Sequence, residues 1–139
     1  MLVLGIESSC DDTSAAVLEN GSHILSNVIS DQNTTHSKYG GVVPELAGRC
    51  HIESIHHVIN NAINQSNIGL KQIDLIAVTV GPGLVSSLLV GINTAKALAY
   101  ALQKQMVGVN HLEGHLLAIF LEEMVEFPFI ALPVSGGHT

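Results

Sequence analysis

Leu2-Val-Leu-Gly-Ile6, Glu7-Ser-Ser-Cys-Asp-Asp-Thr13, Ser14-Ala-Ala-Val-Leu18, Asn20-Gly21 and His23-Ile-Leu-Ser-Asn-Val-Ile29 follow one another almost without a gap. The first and third segments are short apolar runs of strand length. Asn-Gly between two such runs is the strongest short-range hairpin signal, because both residues tolerate the positive φ that a tight turn demands. The chain therefore opens as an antiparallel meander of three strands. Its first turn, residues 7–13, presents hydroxyls and carboxylates.

Working outward, Asp31–Gly41 reads as a polar loop that ends in Tyr39-Gly40-Gly41. Pro44 suits the first turn of a helix. Ile55, Val58, Ile59, Ala62 and Ile63 recur at helical spacing, which predicts an amphipathic helix of about 20 residues ending near Asn67-Ile68-Gly69. On that helix His51, His56 and His57 read as surface residues. Ile73–Val80 reads as a buried strand, broken by Gly81-Pro82-Gly83. Leu84–Leu102 is a helix with apolar residues nearly all round it, the pattern of a helix buried on most sides. Met106–Val109 is a further strand, His111–Met124 a third helix and Phe129–Val134 a last strand. Three antiparallel strands followed by strand–helix alternation predict an α/β fold, a mixed β-sheet flanked by helices.

Composition narrows the class. In 139 residues, 47% are hydrophobic and only 12% charged, with a mean hydropathy of +0.40. This excludes a disordered tail. It is about half the usual charged fraction, so part of the surface is expected to meet something other than water. No uninterrupted apolar run reaches the ~18 residues of a bilayer span, and the start lacks the basic and cleavable parts of a signal peptide. Cys10 and Cys50 fit a reducing, cytoplasmic compartment. Net charge is −7, and Lys38, Arg49, Lys71, Lys96 and Lys104 stand singly, so the chain has no electrostatic footprint for nucleic acid.

His111-Leu-Glu-Gly-His115 is the sharpest chemical signal. Histidines at i and i+4 share a helix face and can bind one metal. Glu113 lies two residues from each, about 200° round the helix, and points away from such a metal. A zincin peptidase instead sets its glutamate beside the first histidine. A metal site needs at least one more ligand, with His138 or a residue beyond position 139 as the options. Ser135-Gly136-Gly137-His138-Thr139 follows a strand and can offer backbone N–H groups to a phosphate. Ser8-Ser9-Cys10-Asp11-Asp12-Thr13 can do the same, its carboxylates holding a metal or orienting an amine. A capped, solvated turn is the plainer reading of each. Gly81-Pro82-Gly83 lacks the Gly-Lys-Ser/Thr of a Walker A loop. His36 and Tyr39 lie in a loop from which they can reach a ligand.

Five segments in order, Gly5–Thr13, Tyr39–Ala47, Gly81–Leu84 with Leu88–Gly91, His111–His115 and Pro133–Thr139, resemble the amino-terminal part of the TsaD family. These are tRNA N6-adenosine threonylcarbamoyltransferases, once labelled glycoproteases. The resemblance covers the whole chain. It implies the two-lobed ASKHA fold of actin and Hsp70, with residues 1–139 as the first lobe, 129–139 starting the crossover, and the second lobe missing. It implies transfer of threonylcarbamoyl from threonylcarbamoyl-adenylate to N6 of adenosine 37, in tRNAs reading codons that start with A, with release of AMP. Carried onto this chain, His111 and His115 are metal ligands for iron, zinc or magnesium. Val134, Ser135, Gly136, Gly137 and His138 contact the adenylate, and Ser9, Asp11 and Asp12 lie near the reacting end. Asp12 stands where the family usually has glutamate, and Ser86 where glycine is common. The third protein ligand, an aspartate in the family, lies outside this chain, so these 139 residues alone are expected to be inactive.

Two alternatives remain. One is a metallopeptidase, as the old label suggests. The other is a non-catalytic interaction lobe, pairing with the related protein TsaB or with itself as a homodimer. The resemblance implies TsaB, the ATPase TsaE and tRNA as partners, and no membrane.

Overall fold

The computed structural model describes residues 1–123 and 125–132. Its centre is a five-stranded sheet in the order β3-β2-β1-β4-β5. β1 (Leu2–Glu7), β2 (Thr13–Glu19) and β3 (His23–Ser30) form the expected antiparallel meander. Asn20 and Gly21 turn it with φ of 54° and 86°. β4 (Leu75–Gly81) and β5 (Gln105–Asn110) add in parallel beyond β1. The sheet is mixed, and its three parallel strands point their carboxyl ends the same way.

α2 (Pro44–Ser66) is the long amphipathic helix, with Pro44 at its start and Asn67 closing it in the left-handed region. It follows two short turns, α1 (Asn33–His36) and a 3₁₀ turn (Ser37–Tyr39), where a polar loop is expected. Ile55, Val58, Ile59, Ala62 and Ile63 are all buried, against Leu4, Ile6, Ala15, Val17, Ile76 and Val78 of the sheet. Each Val, Leu or Ile among them contributes about 1.5–3 kcal/mol by leaving water. α3 (Val85–Leu102) packs beside α2 on the same sheet face.

Several expectations need correction. α3 is not buried on most sides. Ser87, Leu88, Gly91 and Ala95 face inward, while Val85, Leu89 and Tyr100 are exposed, Tyr100 by 81%. One sheet face and one neighbouring helix offer a single side of contact, whatever the composition. By length and mean hydropathy (1.3) α3 also passes the test for a bilayer span. Ser86, Ser87, Asn93, Thr94 and Lys96 interrupt its apolar run, and its contacts are those of a sheet-covering helix. His51, expected at the surface, is fully buried. Its position is four residues from both Ala47 and Ile55 on the inward stripe of α2, which is the signal that finds it. His36, which from a loop could have reached a ligand, is also buried, bonded to Gln32 Oε1 at 2.9 Å and accepting from the Val43 amide at 3.3 Å. The third helix is short: α4 (His111–Leu117) passes into a 3₁₀ turn (Ala118–Leu121). Residues 129–132 form no strand, with Ile130 fully exposed. A strand needs a pairing neighbour, and none of the described strands lies beside them.

The second sheet face carries small residues. Gly5, Ser14, Ala16, Ala77 and Thr79 line an open cavity of about 370 Å³, bordered by Gly114 and Leu121.

Candidate functional site

The carboxyl ends of β1, β4 and β5 bring three segments together: the loop 8–12, the turn 82–84 and the start of α4. This edge of an open sheet is where α/β proteins place ligands.

Close approach between the first two depends on glycine. Ser8 Oγ donates to the Ser87 carbonyl at 2.8 Å and accepts from the Gly91 amide at 3.2 Å. It sits between a carbonyl and an amide four residues apart, the pair an α-helix normally joins directly. A Cβ on Gly91 would meet Ser8 Oγ at 2.4 Å. The Leu84 amide donates to the Ser9 carbonyl at 2.7 Å, and a Cβ on Gly83 would meet that same oxygen at 2.5 Å. Ser86 packs on Gly48 and donates to the Pro44 carbonyl at 3.0 Å. The hydroxyl thus ties α3 to the start of α2.

Glu7 ends β1 and gathers the site. One carboxylate oxygen accepts from the Ser9 amide. The other accepts from the Thr79 hydroxyl at 2.5 Å and lies 3.3 Å from His111 Nδ1. His111 Nδ1 is also 3.0 Å from Ser9 Oγ. Burial alone would raise the Glu7 pKa. The hydrogen bonds from Ser9, Thr79 and His111 outweigh it and hold the carboxyl below its ordinary value. A carboxylate facing Nδ1 assigns the proton of His111 to that nitrogen and makes Nε2 the acceptor, facing His115 Nε2.

α4 is started by Asn110, whose side chain accepts from the Leu112 and Glu113 amides at 2.9 and 3.3 Å. His111 and His115 then share a face, their rings perpendicular with centroids 4.5 Å apart. Their Nε2 atoms are 3.1 Å apart. Two imidazole nitrogens bound to one tetrahedral ion sit about 3.3 Å apart at ordinary Zn–N lengths. The pair therefore fits a metal, and the Glu7–His111 contact is the carboxylate–histidine support that such ligands commonly have. No group of three His, Cys, Asp or Glu side chains able to hold an ion occurs among the described residues.

Of the expected site residues, Ser9, His111 and His115 come together. Asp11 and Asp12 stand further along the loop, with Asp12 exposed. Burial, Asp11 and Asp31 raise the Asp12 pKa, and His51 opposes them. Val134, Ser135, Gly136, Gly137 and His138 lie outside the described residues. Glu7 and Thr79 are site residues that motif reading passes over. The signal for Glu7 is a carboxylate closing a buried strand just before a serine turn.

The fold and the site define an ASKHA-type lobe with a histidine pair at the carboxyl edge of its sheet. In solved structures the fold is similar to YeaZ from Pseudomonas aeruginosa, with a TM-score of 0.58 at 20% identity, over 78% of this chain and 42% of that one. A second structure, a protein with similarity to peptidase YEAZ from Pseudomonas aeruginosa, gives a TM-score of 0.59 at 22% identity, over 78% of this chain and 43% of that one. The family profile described as TsaD, tRNA N6-adenosine threonylcarbamoyltransferase, matches residues 23–139, and the chain belongs to this family. Curated relatives of that name are 59% identical in Geotalea uraniireducens, over the whole chain and 40% of the relative, and 61% identical in Syntrophus aciditrophicus, over the whole chain and 41% of the relative. The chain thus spans about 40% of the length of the relatives it matches.

Proposed function

We propose that this chain is the amino-terminal lobe, and residues 129–139 the start of the crossover, of an enzyme that transfers threonylcarbamoyl from threonylcarbamoyl-adenylate to N6 of adenosine 37 in tRNA. The carrying observation is the 3.1 Å separation of the His111 and His115 Nε2 atoms, with His111 oriented by Glu7. His111 and His115 would hold a divalent metal. Imidazole donors suit iron or zinc better than magnesium. Such an ion would supply charge stabilisation at the donor's carbonyl or carboxylate oxygens.

The chain's own groups do the rest. Glu7 keeps the Nδ1 proton on His111, so that Nε2 is the nitrogen that would be offered to the metal. The Ser9 hydroxyl completes that shell. The carboxylates of Asp11 and Asp12 would face the attacking amine, and Ser135–His138 would offer donors to the departing phosphate. Acidic and poor in basic groups, this lobe leaves tRNA contact to other parts of the enzyme or to TsaB and TsaE. The exposed Val85, Leu89 and Tyr100 of α3 support a protein partner there, TsaB or a second copy. The reaction's setting would be the cytoplasm, with no membrane.

The test is transfer of labelled threonylcarbamoyl to tRNA by the complete protein with its partners. His111→Ala and His115→Ala are expected to abolish turnover. Full turnover in either variant would overturn the reading, and so would cleavage of a protein substrate that depends on the same two histidines.

A further inference from the structure

Resting on that reading, we infer that His51, remote in sequence from the proposed reacting groups, is the positioning residue for the Asp11–Asp12 carboxylates. Its imidazole is fully buried, and both ring nitrogens are engaged with the loop. Nε2 lies 3.0 Å from the Cys10 carbonyl, which can only accept, so Nε2 carries a proton and donates. Nδ1 lies 2.7 Å from Thr13 Oγ1. Thr13 Oγ1 is in turn 2.8 Å from Ser54 Oγ, which donates to the Cys50 carbonyl at 2.8 Å.

Cys10 and Thr13 are the residues on either side of Asp11 and Asp12. One rigid ring on α2 therefore grips both ends of the two-residue segment that presents the carboxylates. Ser8 on α3, the Leu84 amide on the Ser9 carbonyl, and the contacts of Ser9 with Glu7 and His111 all fasten the first half of the loop. Without His51 the segment from Cys10 to Asp12 loses the buried anchor that it has among the described residues. His51 touches no reacting atom. It acts through the backbone, and its effect is on the geometry of the carboxylates.

Three variants test this. His51→Phe keeps the ring and removes both bonds, His51→Gln keeps a donor for the Cys10 carbonyl, and Thr13→Val removes the Nδ1 contact, together with that to Ser54, while leaving the Cys10 bond. The first measurement is hydrogen–deuterium exchange on this chain. His51→Phe is expected to lose protection by at least about tenfold in peptides covering 8–14 while the peptides of α2 keep theirs, with Gln largely restoring it and Thr13→Val intermediate. Unchanged loop protection overturns the inference. So does loss spread evenly over the chain in all three variants, which would make His51 a filler of the core. The second measurement is steady-state transfer by the complete protein. His51→Phe should lower kcat about 100-fold at constant KM for tRNA, with recovery in Gln. An unchanged kcat, or a change in KM alone, overturns it. If exchange behaves as expected while the wild-type complete protein transfers nothing, the proposed reaction fails and the clamp stands.

Discussion

The hydroxyl of Ser8 occupies the space that a side chain at Gly91 would need: an added Cβ comes within 2.4 Å of Oγ but 3.5 Å from Ser8 Cβ. The conflict is with one oxygen. Gly91→Ala should destabilise the fold by about 1–3 kcal/mol, the usual range for overpacking. Ser8→Ala added to it should recover part of that loss, because the remaining Cβ contact is ordinary. Urea unfolding of the two single variants and the double variant checks the coupling, and simple additivity would contradict it.

Glu7 is placed to set the tautomer and direction of His111. In the complete protein, Glu7→Ala should weaken metal binding by about 10–100-fold, as loss of a supporting carboxylate typically does. Thr79→Val, which removes one of the donors to Glu7, should act in the same direction and less. Competition with a chromophoric chelator reads both affinities. An unaltered affinity in Glu7→Ala would show that the histidines orient themselves.

The raised pKa of Asp12 has a stability consequence of defined sign. A carboxyl titrating higher in the fold than in the unfolded chain is favoured by folding in its neutral form. That stability is present below the unfolded value and is lost as pH rises through the folded one. Asp12→Asn should therefore raise the urea midpoint at pH 7, with the gain shrinking to nothing near about pH 3. The side chain is exposed, so the gain is small.

Burial, and then the neighbouring Asp11, push the Cys10 thiol up to about 11, against an ordinary 9.0. At neutral pH this leaves about 100-fold less thiolate than an unperturbed cysteine has. Alkylation mapped by mass spectrometry should find Cys10 slow, and Asp11→Asn should speed it. Fast labelling of Cys10 in the wild type would refute this.

The meander was legible because its signals are local. Asn20-Gly21 sets the turn, and the flanking apolar runs have strand length. α2 was legible from Pro44 and the spacing of Ile55, Val58, Ile59, Ala62 and Ile63. The exposure of α3 was not, because composition tells how apolar a helix is and not how many neighbours it has. His51 reads as a surface residue when the apolar stripe is drawn only from Ile55 onward, whereas extended back to Ala47 the stripe includes it. A buried histidine is stable once both nitrogens are bonded, and its partners are 38 and 41 residues away in sequence. The paired histidines were found by motif, while Glu7 and Thr79 joined them only through parallel strand pairing, across 104 and 72 residues for the Glu7 contacts.

The strand order carries a consequence for synthesis. From β1 at the centre, β2 and β3 extend one edge, then β4 and β5 extend the other. None of the five described strands has to be threaded between two already joined, so they can add in the order in which a ribosome releases them. The histidine pair emerges after its carboxylate and serine supports already have their places.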